Sequence, residues 1–154
     1  MNIAVIGTGY VGLVSGTCFA EKGNNVICVD IDEKKVTQLK AGQIPIYEPG
    51  LETIFTKNIE AGRLSFTTNL AEGIQNAEII FLALPTPSDE DGSADLSYVS
   101  KCAEAISPLI TDYKIIVNKS TVPVGTAEMV SNILSEKATA PFDVVSNPEF
   151  LREG

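Results

Sequence analysis

The chain has 154 residues, of which 44% are hydrophobic and 20% charged, which bounds it to one domain with room for a sizeable core. A net charge of −9 and the lack of any basic patch argue against nucleic acid or an anionic membrane as a partner, and no apolar run approaches the ~18 residues of a membrane span. There is no histidine, so any chemistry falls to carboxylates, lysines, hydroxyls or thiols, and no metal site is expected.

The first element is the apolar run Ile3-Ala4-Val5-Ile6, too short for a helix and read as a buried strand. It begins almost at residue 1, so no targeting peptide is expected before it. Gly7-Thr8-Gly9-Tyr10-Val11-Gly12 follows at the spacing G-x-G-x-x-G, and Leu13, Val14, Thr17, Cys18 and Ala20 continue as a largely apolar helix. Gly7 lets the chain turn out of the strand, Gly9 lets a pyrophosphate approach the backbone, and Gly12 lets the helix pack close to the sheet. The anion then meets free N–H groups at the positive end of the helix dipole. Val26-Ile27-Cys28-Val29 is the next strand and ends in Asp30, eighteen positions after Gly12. That is close to the ~20 expected for the acid that holds the adenosine ribose hydroxyls. The cofactor implied is NAD rather than NADP, because a 2′-phosphate would be repelled.

Asp32 can cap a helix from 32 to 41 with Val36 and Leu39 inward, and Gly42 ends it. Lys35 lies five residues past Asp30; from spacing alone it reads as a solvated helix lysine. Residues 43–50 hold two prolines and a glycine and read as a loop. A helix over 51–61, a short strand over 64–67 and a brief helix capped by Asn69 come next. Ile79–Leu84 is the next central strand, stopped by Pro85-Thr86-Pro87, and the acidic stretch 88–93 is an exposed loop. A helix starts at Asp95 or Ser97, with Val99, Cys102, Ala103 and Ile106 inward. Lys114–Asn118 is a strand leading into Lys119-Ser120-Thr121, Gly125 precedes a helix to about Ser135, and Phe142–Ser146 is the last strand. Cys18, Cys28 and Cys102 show no metal-type spacing and read as buried inert thiols; their odd number suits a reducing cytoplasm.

Alternating strands and helices predict an α/β Rossmann-type, doubly wound parallel sheet of order 3-2-1-4-5-6 with helices on both faces. Ligands bind such a sheet beyond the carboxyl ends of its strands. The residues predicted there are Gly7–Gly12, Asp30, Pro85, Thr86, Ser120, Thr121 and the stretch Asn147–Glu153. Asn147-Pro148 can open a helical turn that would project Glu149 and Glu153 from one side. Either carboxylate could act as acid or base in a desolvated crevice, or simply complement the helix dipole.

Five stretches in this order resemble the UDP-glucose 6-dehydrogenase family. They are Gly7-Thr8-Gly9-Tyr10-Val11-Gly12, Tyr47-Glu48-Pro49-Gly50-Leu51, Pro85-Thr86-Pro87, Lys119-Ser120-Thr121-Val122-Pro123 and Asn147-Pro148-Glu149-Phe150-Leu151-Arg152-Glu153-Gly154. The wider group includes enzymes for GDP-mannose and UDP-N-acetylmannosamine; the acidic loop Asp89–Asp95 looks most like the UDP-glucose members. The resemblance implies oxidation of UDP-glucose to UDP-glucuronate with two NAD, through a cysteine thiohemiacetal and thioester. By motif, Thr121 would hold the catalytic water and Glu149 would be the acid/base. Glu153 would sit by the nicotinamide, and Glu149, Phe150, Leu151, Arg152 and Glu153 would contact the sugar nucleotide. Gly7, Thr8, Gly9, Tyr10, Val11, Gly12, Asp30, Lys35, Pro85, Thr86, Ser120, Thr121 and Glu153 would line the NAD site. None of Cys18, Cys28 and Cys102 matches the family's nucleophile. The chain is therefore read as the N-terminal NAD-binding part, residues 1–154, of a longer enzyme that lacks here its central helix and UDP-binding domain. By itself it is expected to be inactive; at full length a homodimer or higher homo-oligomer is expected. The reading from another class is an NAD-sensing module without catalysis.

Overall fold

The computed structural model describes residues 1–88 and 92–149. Six parallel strands form one sheet: β1 (Asn2–Ile6), β2 (Asn25–Val29), β3 (Leu64–Thr67), β4 (Ile79–Leu82), β5 (Lys114–Asn118) and β6 (Phe142–Ser146). Their order is β3-β2-β1-β4-β5-β6, as the sequence predicts. Because β1 is flanked by β2 and β4, the chain reverses its direction of travel across the sheet there, and a crevice opens beyond the carboxyl ends of these strands.

Alternation along the strands divides the core into two layers. Ala4 and Ile6 of β1, with Ile80 and Leu82 of β4, face one cluster, and Ile3 and Val5 face the other. The first cluster is closed by α4 (Leu70–Ile74), α5 (Ser97–Ile106) and α6 (Thr126–Ser135) through Ile74, Val99, Ala103, Ile106, Val130 and Leu134. The second is closed by α1 (Tyr10–Glu21), α2 (Glu33–Lys40) and α3 (Leu51–Glu60) through Leu13, Ala20, Val36, Leu39 and Phe55. Helices therefore cover both faces. Phe19 of α1 packs its ring 4.7 Å from that of Phe81, tying α1 to β4.

Local chemistry sets the element ends. Asp32 caps α2 by accepting from the Lys34 and Lys35 N–H groups at 3.0 and 3.1 Å. Asn69 accepts the Glu72 N–H at the start of α4. Asp95 receives both the N–H and the hydroxyl of Ser97, so α5 begins at the second of the two expected positions. Pro108 falls in a single 3₁₀ turn, Ser107–Leu109, that extends α5.

Three expectations are corrected. The strand at residue 79 ends at Leu82 rather than Leu84, because its neighbours end there: Leu82 pairs with Ile6 on one side and Asn118 on the other. Beyond them the Ala83 N–H still donates to the Ile6 carbonyl at 2.8 Å, but no further residue of β1 or β5 pairs with the segment as a strand. Cys18 is exposed, since the buried stripe of α1 runs Gly12, Leu13, Gly16, Thr17, Ala20 and turns Cys18 outward. Cys102 is only partly buried. Burial pushes the thiols of Cys28 and Cys102 up to about 12. A thiol titration of the native chain is therefore expected to show one fast-reacting group, Cys18, with all three reacting after denaturation. A fast second thiol would contradict the packing of β2 or α5.

One buried cation was not foreseen. Lys114 opens β5 fully buried, and its Nζ donates to the Ala77 carbonyl at 2.8 Å and lies 3.0 Å from an Asp112 oxygen. It satisfies carbonyl density just beyond α4, at the sheet edge opposite the crevice, as a buried charge requires. No helix among the described residues is long and apolar enough to cross a membrane.

Candidate functional site

The crevice is a cavity of about 890 Å³, within the usual range for small-molecule sites. It is lined by Gly7, Thr8, Gly9, Tyr10 and Val11, by Asp30 and Lys35, by Pro85 and Thr86, and by Ser120, Thr121 and Glu149. Segments far apart in sequence meet there because each leaves the carboxyl end of a central strand. Asp30 and Thr121 open onto this same space.

The glycine turn is built as the spacing demands. Gly7 has φ +97°, a left-handed conformation, and its N–H donates to the Val29 carbonyl at 2.8 Å. A methyl group added to Gly7 would lie 2.2 Å from the Ala83 carbonyl oxygen. One added to Gly12 would lie 2.0 Å from the carbonyl oxygen of Gly7 itself. Gly9 differs: nothing lies within 4 Å of a methyl there. Its missing side chain therefore leaves space on the cavity side rather than within the protein. Gly9 is also the N-cap of α1, with no side-chain cap and no acid in the first turn. The positive end of the α1 dipole favours an anion there. These features fit a dinucleotide pyrophosphate.

Asp30 is tightly held. Its Oδ2 accepts the Thr8 N–H at 2.9 Å, the Thr8 hydroxyl at 2.5 Å and the Lys35 ammonium at 3.2 Å. Its Oδ1 accepts the Asp32 N–H at 3.0 Å. Burial alone would raise this carboxyl, but the bonds from Thr8, Asp32 and Lys35 outweigh it and hold the group below its ordinary 3.8. Lys35 is thus not a purely solvated helix lysine: it sits on the acid that the sequence singles out.

On the other side of the cavity three loops are tied together. The Ser120 hydroxyl donates to the Leu84 carbonyl at 2.6 Å. The Thr86 hydroxyl donates to the Thr121 carbonyl at 3.2 Å, and the Thr121 hydroxyl to the Glu149 carbonyl at 2.6 Å. The loops after β4, β5 and β6 are therefore one hydrogen-bonded unit. Asn147 to Glu149 lie outside any helix, and the Asn147 N–H pairs with the Asn118 carbonyl at 2.9 Å, continuing from the end of β6; the rest of the expected turn lies outside the described residues. Phe150, Leu151, Arg152, Glu153 and Gly154, and the Asp89, Glu90 and Asp91 of the acidic loop, lie outside the described residues. No group of three or more potential metal ligands occurs among the described residues.

Residues 1–154 match the family model described as the UDP-glucose/GDP-mannose dehydrogenase family, NAD binding domain. The chain belongs to that family. It is 57% identical over 155 residues to the UDP-glucose 6-dehydrogenase TuaD of Bacillus subtilis, covering 99% of this chain and 34% of that protein. It is 52% identical over 159 residues to the UDP-glucose 6-dehydrogenase of Pseudomonas aeruginosa, covering 100% of this chain and 35% of the other. The chain thus spans about a third of the length of these relatives. Among solved structures, a UDP-glucose dehydrogenase from the hyperthermophilic archaeon Pyrobaculum islandicum superposes with TM-score 0.94 at 42% identity, over 99% of this chain and 37% of that one. A GDP-mannose dehydrogenase from Pseudomonas aeruginosa, in a ternary complex, gives 0.90 at 35% identity over 99% and 37%. As the NAD-binding domain of this dehydrogenase family, the chain has NAD as its cofactor.

For this family domain the cavity contains more than the sequence reading assigned. Tyr98, Lys101, Cys102 and Ala105 line it from α5. Their i, i+3, i+4, i+7 spacing is one helical stripe, distinct from the core stripe Val99, Ala103, Ile106. The two stripes meet at Cys102, which is why periodicity alone assigned it to the core. Ile31, Thr68 and Leu70 complete the wall on the β2–β3 side. Ile31 is 89% exposed on this wall.

The pH behaviour follows from these groups. A depressed Asp30 keeps its charge everywhere above its ordinary 3.8 and loses it only as pH falls through the lowered value. With no histidine in the chain, NAD affinity is expected to stay flat from about pH 5.5 to 8.5. A calorimetric titration series that shows a tenfold change inside that window would contradict the site.

Proposed function

We propose that the chain is the cofactor-binding part of a UDP-glucose 6-dehydrogenase. The whole enzyme would oxidise the C6 alcohol of UDP-glucose to the carboxylate of UDP-glucuronate, taking up one water and reducing two NAD. Bound NAD would supply the hydride acceptor. The observation that carries the reading is the Thr121–Glu149 junction on the cavity that also holds the glycine turn and Asp30. A module that only senses NAD has no use for a hydroxyl and a carboxylate at the far end of its site.

In this proposal Gly7–Gly12 and Asp30 grip the adenosine diphosphate half. Thr86, Ser120 and Thr121 fix the other end, and Thr121 keeps acceptor lone pairs free for the attacking water. Glu149 moves protons during hydrolysis. Glu153, with Phe150, Leu151 and Arg152, would complete the contact with nicotinamide and sugar nucleotide. The nucleophilic thiol would come from the rest of the protein. Cys18 faces away on α1, Cys28 is buried in β2, and burial keeps the Cys102 thiol protonated. UDP-glucose is preferred to other sugar nucleotides because the relatives that carry that name reach 57 and 52% identity, against 35% for the GDP-mannose enzyme. Three free thiols fit a reducing cytoplasm.

The test is stoichiometry. The full-length protein is expected to form two NADH per UDP-glucose and to leave GDP-mannose and UDP-N-acetylmannosamine largely unused. The 154-residue chain is expected to bind NAD and form no NADH. Turnover of a different sugar nucleotide would replace the substrate, and NAD binding without any turnover at full length would favour the sensor.

A further inference from the structure

Among the described residues, one buried side chain has no hydrogen-bond partner. Asn118, the last residue of β5, is 2% exposed, and neither its Oδ1 nor its Nδ2 has a hydrogen-bond partner among the described residues. A carboxamide offers two donors and two acceptor lone pairs. Burying all four unmet is costly, and such groups in folded proteins are almost always satisfied by protein or by an internal water.

Its place in the fold is specific. Asn118 lies two residues beyond Ile116 and four beyond Lys114, so it shares the face of the sheet that packs against α5 and α6. Its main chain joins the site loops. The Asn118 carbonyl accepts the Asn147 N–H at 2.9 Å, where the β6 loop leaves. Directly after it, the N–H groups of Lys119 and Ser120 both reach the Leu82 carbonyl, at 2.9 and 3.3 Å, where the β4 loop leaves. The three loops that meet at Thr121 therefore leave the sheet at the level of this residue. The helix that follows, α6, starts at the same edge of the sheet, and its cap Gly125 supplies no side chain.

We propose that Asn118 is a positioning residue. Its amide holds one internal water that bridges to main-chain groups of the 119–125 loop, and this fixes the height of Thr121 over the sheet. Asn118 touches neither cofactor nor substrate. The inference rests on the dehydrogenase reading for its kinetic consequence, but not for the water.

The direct test is a crystal structure of the full-length protein at a resolution that shows ordered solvent. A water bonded to the Asn118 amide is expected; an amide packed only against apolar atoms overturns the proposal. The kinetic test uses Asn118→Leu, which keeps the volume and removes both polar atoms, and Asn118→Ser, which keeps a partner for the water. Asn118→Leu is expected to lower kcat about tenfold, as a small displacement of a reacting group does, while the NAD dissociation constant moves less than about twofold. That split separates positioning from general damage, since the glycine turn and Asp30 lie on other strands. Asn118→Ser is expected to return kcat to within about threefold of the parent. If Asn118→Leu instead raises Tm and leaves kcat unchanged, the amide is only a tolerated cost and the idea fails. If Asn118→Leu does not fold, Asn118→Ser decides: the retained water with near-parental kcat supports the proposal, and loss of the water at unchanged kcat overturns it. Absence of NADH formation by the parent protein would sink the dehydrogenase reading while leaving the solvent test in force.

Discussion

Gly9→Ala is expected to fold normally and lose its cofactor, whereas Gly7→Ala and Gly12→Ala are expected to lose the fold. All three substitutions add the same methyl group within six residues, so the contrast isolates geometry. At Gly7 the methyl meets two penalties. The left-handed backbone at φ +97° costs an ordinary residue ~1–2 kcal/mol. The methyl would also stand 2.2 Å from the carbonyl oxygen of Ala83, a main-chain atom of the neighbouring strand end that no rotamer change can clear. At Gly12 the clash is at 2.0 Å with the carbonyl of Gly7, also main chain. Relief would need β1 or β4 to shift, which loosens the central pair of the sheet. A loss above ~4 kcal/mol is expected at each, a large share of the ~5–15 kcal/mol that holds a domain together. Gly9 meets no protein atom within 4 Å, so its methyl threatens only what enters the cavity. NAD affinity is expected to fall about 100-fold, or ~2.7 kcal/mol, with the denaturation midpoint nearly unchanged. Urea unfolding and NAD titration of the three variants check this together. A Gly9→Ala protein that binds NAD like the parent would show that the pyrophosphate does not cross the turn.

The glycine spacing was legible because backbone geometry leaves few residue types for such a turn. The strands were legible for a related reason: Val5, Ile27 and Ile80 stand in short apolar runs bounded by glycine, proline or acid, Ile116 stands in one bounded by polar residues, and a sheet covered on both faces needs such runs. What the sequence hid was mostly polar and buried. Lys114 and Asn118 bracket β5 and look, from type alone, like exposed strand ends. Both are buried because β5 is covered beyond its apolar centre, and nothing local signals that. The cavity stripe of α5 was hidden by superposition, since one helix serves a core and a cavity with adjacent stripes. Among the residues that line the cavity, Asp30 could be found from its distance to Gly12. Its bonds to Thr8 could not, because they depend on β1 and β2 lying side by side.

Those bonds make Asp30→Ala the second decisive substitution. In the folded chain the carboxylate holds the Thr8 N–H and hydroxyl inside the glycine turn, and in the proposed site it would also present oxygen to the adenosine ribose. Removing it deletes charge-assisted bonds worth ~1.5–3 kcal/mol each and leaves the buried Thr8 N–H unpaired. NAD affinity is expected to fall about 100-fold or more. The same change should help NADP. The repulsion between Asp30 and a 2′-phosphate disappears, and Lys35, now paired with Asp30 at 3.2 Å, is released toward the anion. The preference for NAD over NADP is therefore expected to collapse or reverse. Lys35 then serves as the internal control. In the parent it is tied to Asp30, so Lys35→Ala should change NAD affinity by less than about fivefold, the scale of a part-exposed ion pair. In the Asp30→Ala background the same substitution should remove most of the gained NADP affinity. If Asp30→Ala leaves the two dinucleotides discriminated as before, the acid does not face the ribose. Selection would then lie with another wall of the cavity, such as Ile31 or the stripe on α5.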